Sequence, residues 1–185
     1  YKDKKGTLWI GTNSGGLNRL DPRTGMFSVY KHDRNNKESI RNDRVLAIEE
    51  DGSGRLWIGT DTGLDSLDRE TGRFEHHPLF RSARGTTGNY QVSAIFCDSE
   101  GFLWIGTDRH GLFIYDEANK TFRQYAHDPY DTRSLSRNRI LSIYEDRSGI
   151  IWAGTKSGGV NKILKVPFAY LKREPGNPSS LSHNN

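Results

Sequence analysis

The chain has 185 residues, of which 33% are hydrophobic and 27% are charged, with a formal net charge of +4. Its 27 basic and 23 acidic residues are interspersed, which disfavours a nucleic-acid-binding protein because such proteins cluster their basic residues. No apolar run reaches the roughly 20 residues of a membrane-spanning helix, and the single cysteine, Cys97, excludes an internal disulfide.

One five-residue stretch occurs four times, three times as Leu-Trp-Ile-Gly-Thr and once as Ile-Trp-Ala-Gly-Thr. Its tryptophans are Trp9, Trp57, Trp104 and Trp152, so the steps between them are 48, 47 and 48 residues. A fixed period of this length indicates a repeat architecture.

Each repeat is predicted to contain four short strands. Runs of β-compatible residues bounded by Asp and Gly clusters are typical of hairpin-linked antiparallel strands. The predicted first strands are residues 45–50, 92–97 and 140–145, and the second strands carry the tryptophans. The predicted third strands are 17–20, 64–67, 112–115 and 160–164, and the fourth are 27–30, 74–77, 122–125 and 168–171.

Four-stranded antiparallel units in tandem predict an all-β fold, the β-propeller, in which each repeat is one blade. The tryptophan strands are apolar almost throughout, as expected where neighbouring blades cover both faces of a sheet. A β-sandwich is the alternative, but it does not require a sequence motif that repeats at a fixed spacing. We place the repeats at about 1–44, 45–91, 92–139 and 140–185, within a single propeller segment.

The first repeat is expected to lack most of its innermost strand, because Tyr1 and Lys2 align with Glu49 and Glu50 at the end of a first strand. The chain also begins without a Met or a visible signal peptide. We therefore expect a fragment of a larger propeller, whose uncovered blade faces are completed by the remaining blades or by a second copy.

The repeated residues are interpreted as structural. The tryptophans are expected to fill the gap between blades, with sugar stacking as the alternative. The Asp that opens each first turn, such as Asp51, is expected to accept bonds from turn amides, because the turns lack the Asp/Asn ladder of a calcium loop. His76 and His77 are adjacent on one strand and face opposite sides, which disfavours joint metal ligation. We predict no catalytic, metal or cofactor site.

Ligand-binding residues are expected at one end of the propeller. The loops that enter the first strands and the turns between second and third strands lie at this end and differ between repeats. They are polar and rich in arginine, which forms paired bonds with carboxylates and sulfates. The alternative is that they are solvated loop residues. The predicted set is Arg44, Asp61, Tyr90, Gln91, Asp108, Arg109, His110, Arg139 and Lys156.

The repeats resemble the two-component regulator propeller repeat. The resemblance is carried by Ile/Val-x-x-Ile-x-x-Asp-x-x-Gly-x-Leu/Ile-Trp-Ile/Ala-Gly-Thr and by the following Asp-x-x-Thr-Gly-x-Phe and Ser-Leu-Ser segments. It covers nearly the whole chain. The second repeat departs from it by lacking one residue of the Gly-Gly turn, the fourth has Ala153 in place of Ile, and the loop at 81–91 has no Ser-Leu-Ser.

This resemblance implies a ligand-sensing segment of a hybrid two-component sensor histidine kinase, located in the periplasm and anchored in the membrane by the rest of the protein. It implies an oligosaccharide as the ligand. Two other functions stay open. A propeller can be a scaffold for protein–protein interaction, or an enzyme, which requires His and carboxylate groups that converge on the channel; only His110 lies at the expected end.

Overall fold

The computed structural model describes residues 1–79, 90–117 and 119–164, which form strands and no helix. The first blade contains β1 (Leu8–Gly11), β2 (Leu17–Leu20) and β3 (Phe27–Tyr30). The second contains β4 (Val45–Glu50), β5 (Leu56–Thr60), β6 (Leu64–Leu67) and β7 (Phe74–His77). The third contains β8 (Val92–Cys97), β9 (Leu103–Thr107), β10 (Leu112–Asp116) and β11 (Thr121–Tyr125). The fourth contains β12 (Ile140–Glu145), β13 (Ile151–Thr155) and β14 (Val160–Ile163).

Each blade is an antiparallel sheet whose strands follow one another in chain order. The second and third blades have four strands, which confirms the predicted propeller blade. The first blade has three, and at the position of its innermost strand only an isolated bridge joins Lys2 to Leu8. The predicted strand at 168–171 lies outside the described residues. The inner strands β4, β8 and β12 pack side by side, as strands around a channel do, and β1, the tryptophan strand of the first blade, packs against β4.

The tryptophan side chains lie between the blades. Trp57 is fully buried in a cluster with Val92 and Ile105 of the third blade. Trp9 packs in the same way against the second blade and Trp104 against the fourth. Each of these three tryptophans therefore joins its own blade to the next one, and burial of one large aromatic side chain is worth several kcal/mol per junction, about 3–5 by truncation to Ala.

Every described indole is also hydrogen-bonded to the aspartate six residues before it. The indole Nε1 donates to the carboxylate Oδ2 in four equivalent bonds. They join Trp9 to Asp3 at 2.9 Å, Trp57 to Asp51 at 2.7 Å, Trp104 to Asp98 at 2.8 Å and Trp152 to Asp146 at 2.8 Å.

The same aspartate organises the turn between the first and second strands. The Oδ1 atom of Asp51 accepts bonds from the amides of Ser53 and Arg55, both at 2.9 Å. Burial alone raises the pKa of Asp51, but the bonds from Ser53, Trp57 and Arg55 outweigh it and lower the pKa overall. One buried carboxylate thus fixes both the turn and the ring that packs on the next blade.

The glycine two residues after the tryptophan is required by the neighbouring blade in each of the first three blades. A Cβ atom on Gly59 would lie 2.7 Å from a side-chain carbon of Val92, and one on Gly106 would lie 2.7 Å from a side-chain carbon of Ile140. Val92 and Ile140 are the first residues of β8 and β12. Since such contacts are too short, any larger residue would push the next blade away.

We predict that Asp51→Ala destabilises the protein by about 2–4 kcal/mol, because it leaves a buried indole N–H and two turn amides without their acceptor. The measurement is urea unfolding followed by tryptophan fluorescence. Asp146→Ala is the matched control, because Trp152 is only partly buried and water can replace the lost bonds. Its loss should be clearly smaller, and equal losses at the two sites would contradict this role of the buried carboxylate.

Candidate functional site

We call the end of the propeller that carries the loops into the first strands and the turns between second and third strands the entry face. Backbone bonds hold these two sets together. The amide of Asp61 donates to the carbonyl of Arg44 at 3.1 Å, and Asp108 donates to Gln91 at 3.1 Å. Lys156 donates to Arg139 at 3.0 Å in the fourth blade. The loops and turns expected at one end of the propeller therefore lie together.

The long entry loops of the second and fourth blades have the same internal structure. In the first of them, Asp43 accepts the amide of His32 at 2.7 Å, and His32 Nδ1 donates to the carbonyl of Ile40 at 2.9 Å. His127 makes the corresponding bonds with Asn138 and Leu135. The sequence analysis does not predict a role for this repeated histidine, although its distance from the Ser-Ile or Ser-Leu pair is constant. It gives the entry face a rigid rim.

Side chains of the entry face pair across the junction between the second and third blades. Asp61 accepts a bond from Gln91 Nε2 at 2.7 Å and one from Arg44 at 3.1 Å. Gln91 immediately precedes β8 of the third blade, and Arg44 immediately precedes β4 of the second. The Arg44–Asp61 pair is well exposed, with side-chain exposures of 44% and 39%, so it is worth at most about 1 kcal/mol.

The next junction repeats this arrangement. Asp108 of the third blade pairs with Arg139 of the fourth at 2.5 Å, and Arg109 lies 3.5 Å from the same carboxylate. Arg109 is 85% exposed. Lys156 is also exposed. The predicted polar residues thus form two acid-centred groups on neighbouring junctions, with exposed cationic side chains beside them.

Two predicted residues lie deeper. Tyr90 is only 3% exposed, its hydroxyl donates to the carbonyl of His77 at 2.7 Å, and it accepts the amide of Leu79 at 2.6 Å. Burial is the main cause that raises the pKa of this hydroxyl. The His110 ring packs edge-on at 6.5 Å from the Tyr90 ring. Tyr90 is therefore a core residue beneath the entry face, and we omit it from the proposed ligand contacts.

A buried charged cluster near the entry face was missed in the sequence. Asp65 is fully buried and accepts bonds from the Arg41 amide at 2.8 Å, from Arg41 Nε at 3.2 Å and from His76 Nδ1 at 2.7 Å. The Arg41 side chain lies across Gly63, in the turn that lacks one residue. A charged residue at position 65, where the first and fourth repeats have Asn18 and Asn161, was the available signal.

His76 and His77 point to different partners, as the strand geometry predicts. His77 Nε2 lies 2.8 Å from Ser66 Oγ, and its ring packs 4.7 Å from the Trp57 ring. Burial lowers the pKa of His77 to about 4, so the ring is neutral at pH 7 and shares a single hydrogen bond with the Ser66 hydroxyl. A histidine with this pKa is a weak general base. Among the described residues, no group of His, Cys, Asp and Glu is arranged to hold a metal ion.

The opposite end of the propeller carries a second set of contacts between blades. The Lys4 amide donates to Glu50 of the second blade at 2.7 Å, and the Ser99 amide donates to Glu145 of the fourth blade at 2.7 Å. At the junction between them the acceptor is the Cys97 sulfur, which is bonded by the Gly52 amide. Cys97 therefore replaces a structural carboxylate, and burial raises its pKa.

Glu49 lies beside Cys97 at the junction of the second and third blades. Its carboxylate Oε1 is 3.4 Å from the Cys97 amide, and burial raises its pKa from 4.5 to about 7. The folded protein therefore holds a proton on Glu49 in a pH range where the unfolded chain has lost it. This contribution to stability is present below pH 4.5 and is lost as the pH rises through about 7.

We predict that Glu49→Gln stabilises the protein at pH 8 by about 1–2 kcal/mol, because the substitution removes a half-buried negative charge. At pH 5 the variant should unfold at nearly the same urea concentration as the unaltered protein. The control is Glu70→Gln on the surface, which should have no pH-dependent effect. An equal effect of Glu49→Gln at both pH values would show that Glu49 is not protonated in the fold.

A family model described as two component regulator propeller matches residues 39–62, 87–109 and 134–157. Each match contains the end of an entry loop, a first strand, a tryptophan strand and the turn that follows it. The three matches thus cover the parts of the second, third and fourth blades that build the inter-blade junctions and the entry face. A search of curated proteins found no match.

Two solved structures of one bacterial protein are similar to the chain. The extracellular domain of the putative hybrid two component system BT4673 from B. thetaiotaomicron is 27% identical; the match covers 87% of this chain and 20% of that chain, with a TM-score of 0.71. A second structure, described as the putative one component system BT4673, is 26% identical with 88% and 20% coverage and a TM-score of 0.71. The chain thus spans about a fifth of the length of these structures.

A more distant likeness is to virginiamycin B lyase from Staphylococcus aureus. It is 14% identical, covers 90% of this chain and 55% of that chain, and has a TM-score of 0.60. At this identity the likeness shows the propeller fold alone. Within residues 1–79, 90–117 and 119–164 there is no helix with the length and apolar character needed to cross a bilayer.

Proposed function

We propose that this chain, three segments of which match the two component regulator propeller model, is part of the extracytoplasmic sensor region of a hybrid two-component histidine kinase. The observation that carries the proposal is the 27% identity, over 87% of the chain, to the extracellular domain of a putative hybrid two component system. A periplasmic location, and a membrane anchor and kinase elsewhere in the protein, belong to the same proposal.

The proposed ligand is an oligosaccharide bound at the entry face. Sugar hydroxyls are both donors and acceptors, so they suit a surface where carboxylates, guanidinium groups and an amide alternate. Asp61 with Arg44 and Gln91, and Asp108 with Arg139 and Arg109, supply such groups at neighbouring junctions. The exposed ion pairs are weak, so ligand hydroxyls can replace them at little cost.

The position of these groups suggests how binding is transmitted. Both groups bridge two blades, so a ligand that bonds to them acts on the packing between blades. A ligand shifts an equilibrium between two arrangements only by the difference in its affinities for them. The proposed signal is therefore a change at the junctions of the second, third and fourth blades that favours one arrangement of the sensor region.

The first blade has an uncovered apolar face that we assign to further blades of the same protein. Leu8 and Ile10 are 37% and 36% exposed, and Phe27 and Val29 are 54% and 53% exposed. The counterparts of Leu8 and Ile10 in the second blade are Leu56 and Ile58, and both are buried against the first blade. A second copy of the chain is the alternative partner, and a dimer in light scattering of the isolated segment would favour it.

We predict that the complete sensor region binds at least one oligosaccharide from a calorimetry panel, and that Arg44→Gln and Arg139→Gln each weaken this binding. The expected loss is about 1–2 kcal/mol, typical for one hydrogen bond to a charged group. Arg34→Gln is the control, since Arg34 is exposed in the same long loop but away from the junction.

Absence of saturable binding to every sugar in the panel would contradict the oligosaccharide. Binding that is unchanged in both arginine variants would contradict the entry face as the site. Capture of a periplasmic protein by the same region, without any sugar binding, would favour the interaction scaffold instead.

A further inference from the structure

A cavity of about 210 Å³ lies at the outer edge of the junction between the second and third blades. It is separate from the entry face, because the turn between β10 and β11 that borders it lies at the other end of the antiparallel sheet. Its lining residues are Arg55, Glu75, His76, His77, Pro78, Tyr115, Lys120 and Phe122.

The floor of the cavity is a stack of rings. Trp57 lies 4.7 Å from His77 and 5.3 Å from Tyr115, measured between ring centroids, and Tyr115 lies 4.9 Å from Phe122. Trp57 lies beneath the cavity in the core of the junction, and Tyr115 and the half-buried Phe122 give the cavity its apolar lining. Such a surface suits the C–H face of a sugar ring, which packs on aromatic side chains.

Basic side chains border this floor. Other repeats have different residue types at the aligned positions. The guanidinium of Arg55 lies over the Trp57 ring at 5.5 Å. Its counterparts in the other repeats are Thr7, Phe102 and Ile150. The guanidinium at this cavity therefore does not come from the repeat pattern and is specific to this junction.

Lys120 occupies a turn position at which the first and second repeats have Gly25 and Gly72. Those glycines have φ values of 70° and 74°, and Lys120 has φ 54°, the only positive φ of a non-glycine residue in the described part of the chain. This conformation is unfavourable for a residue with a Cβ atom. Within the same part of the chain Lys120 forms no salt bridge that would offset the strain. Strained residues are concentrated at ligand-binding sites.

His76 is oriented by a buried carboxylate. Its Nδ1 donates to the fully buried Asp65 at 2.7 Å, which fixes the ring and the position of that proton. His76 borders the cavity, but its side chain, which is 34% exposed, lies on the opposite face of the strand from His77, where it contacts Asp65. Its counterparts in the first and third repeats are Val29 and Gln124. His76 is therefore a neighbour of the cavity and supplies no group to its floor.

Two carboxylates accompany these groups. Glu75 lines the cavity with a side-chain exposure of 74%, and Glu117 lies 3.6 Å from Arg55 with an exposure of 57%. Both are exposed surface groups in weak pairs, so a ligand carboxylate can replace Glu117 on Arg55 at little cost. Lys120 remains as a positive charge without an acidic partner among the described residues.

We propose that this cavity binds one acidic sugar residue, with the ring on Tyr115 and Phe122 and the carboxylate held by Lys120 and Arg55. His76 borders the same site. The assignment does not depend on the sensor role or on the entry face. It accounts for the strained lysine, the arginine over the tryptophan ring and the aromatic floor by a single ligand chemistry.

The test compares methyl β-D-glucuronide with methyl β-D-glucoside, which differ only in the carboxylate, by NMR titration of the full chain. We expect saturable binding of the glucuronide and binding of the glucoside that is at least fivefold weaker. Lys120→Gly restores the usual turn residue, so its melting temperature should be no lower than that of the unaltered protein while its affinity falls at least fivefold. Arg55→Gln should lower the affinity as well.

Arg123→Gln is the control, because it removes one positive charge from β11, the strand that carries Phe122. The Arg123 side chain packs on Tyr125, outside the cavity. It should leave the affinity unchanged. Any one of three results would overturn the proposal. They are no binding of the glucuronide, equal binding of both glycosides, and unchanged affinity in Lys120→Gly. Arg44→Gln and Arg139→Gln do not touch this cavity, so failure here and failure at the entry face are distinguishable.

Discussion

The structure depends on one buried hydrogen bond that recurs in each repeat, from a tryptophan indole to the aspartate six residues earlier. A Trp ring buries a large area but leaves an N–H that costs free energy unless it is paired. The aspartate pairs it and at the same time holds the turn of its own blade. Packing between blades and local turn structure are therefore coupled through a single side chain, and neither can change without the other.

This coupling leaves other parts of the repeat free to vary. In Leu-Trp-Ile-Gly-Thr, the Trp fills the junction, the Gly admits the next blade, and the Thr hydroxyl closes the following turn, as Thr60 does with Gly63 at 2.9 Å. The entry loops and outer strands carry none of these tasks. Both candidate sites, the entry face and the outer cavity, lie in those freer parts, which is where binding residues are usually found on rigid scaffolds.

The strands could be predicted because their signals are local. Asp and Gly turns bound each run, so β4, β8 and β12 begin where the sequence places them, at Val45, Val92 and Ile140. The constant spacing of Asp and Trp is a signal for the bond from indole to aspartate. Secondary-structure propensities do not predict such a bond. The cluster around Asp65 depends on a shortened turn that lets Arg41 lie over Gly63, and Tyr90 is drawn inward by main-chain partners. Both depend on contacts between segments distant in the chain.

The most direct test of this account is hydrogen exchange at the four indole N–H groups, measured by NMR. The account predicts strong protection for Trp9, Trp57 and Trp104, which are 1%, 0% and 3% exposed, and faster exchange for Trp152 in the last described blade. Exchange of all four indoles at the rate of a free indole would show that the buried bond to aspartate does not hold the blades together.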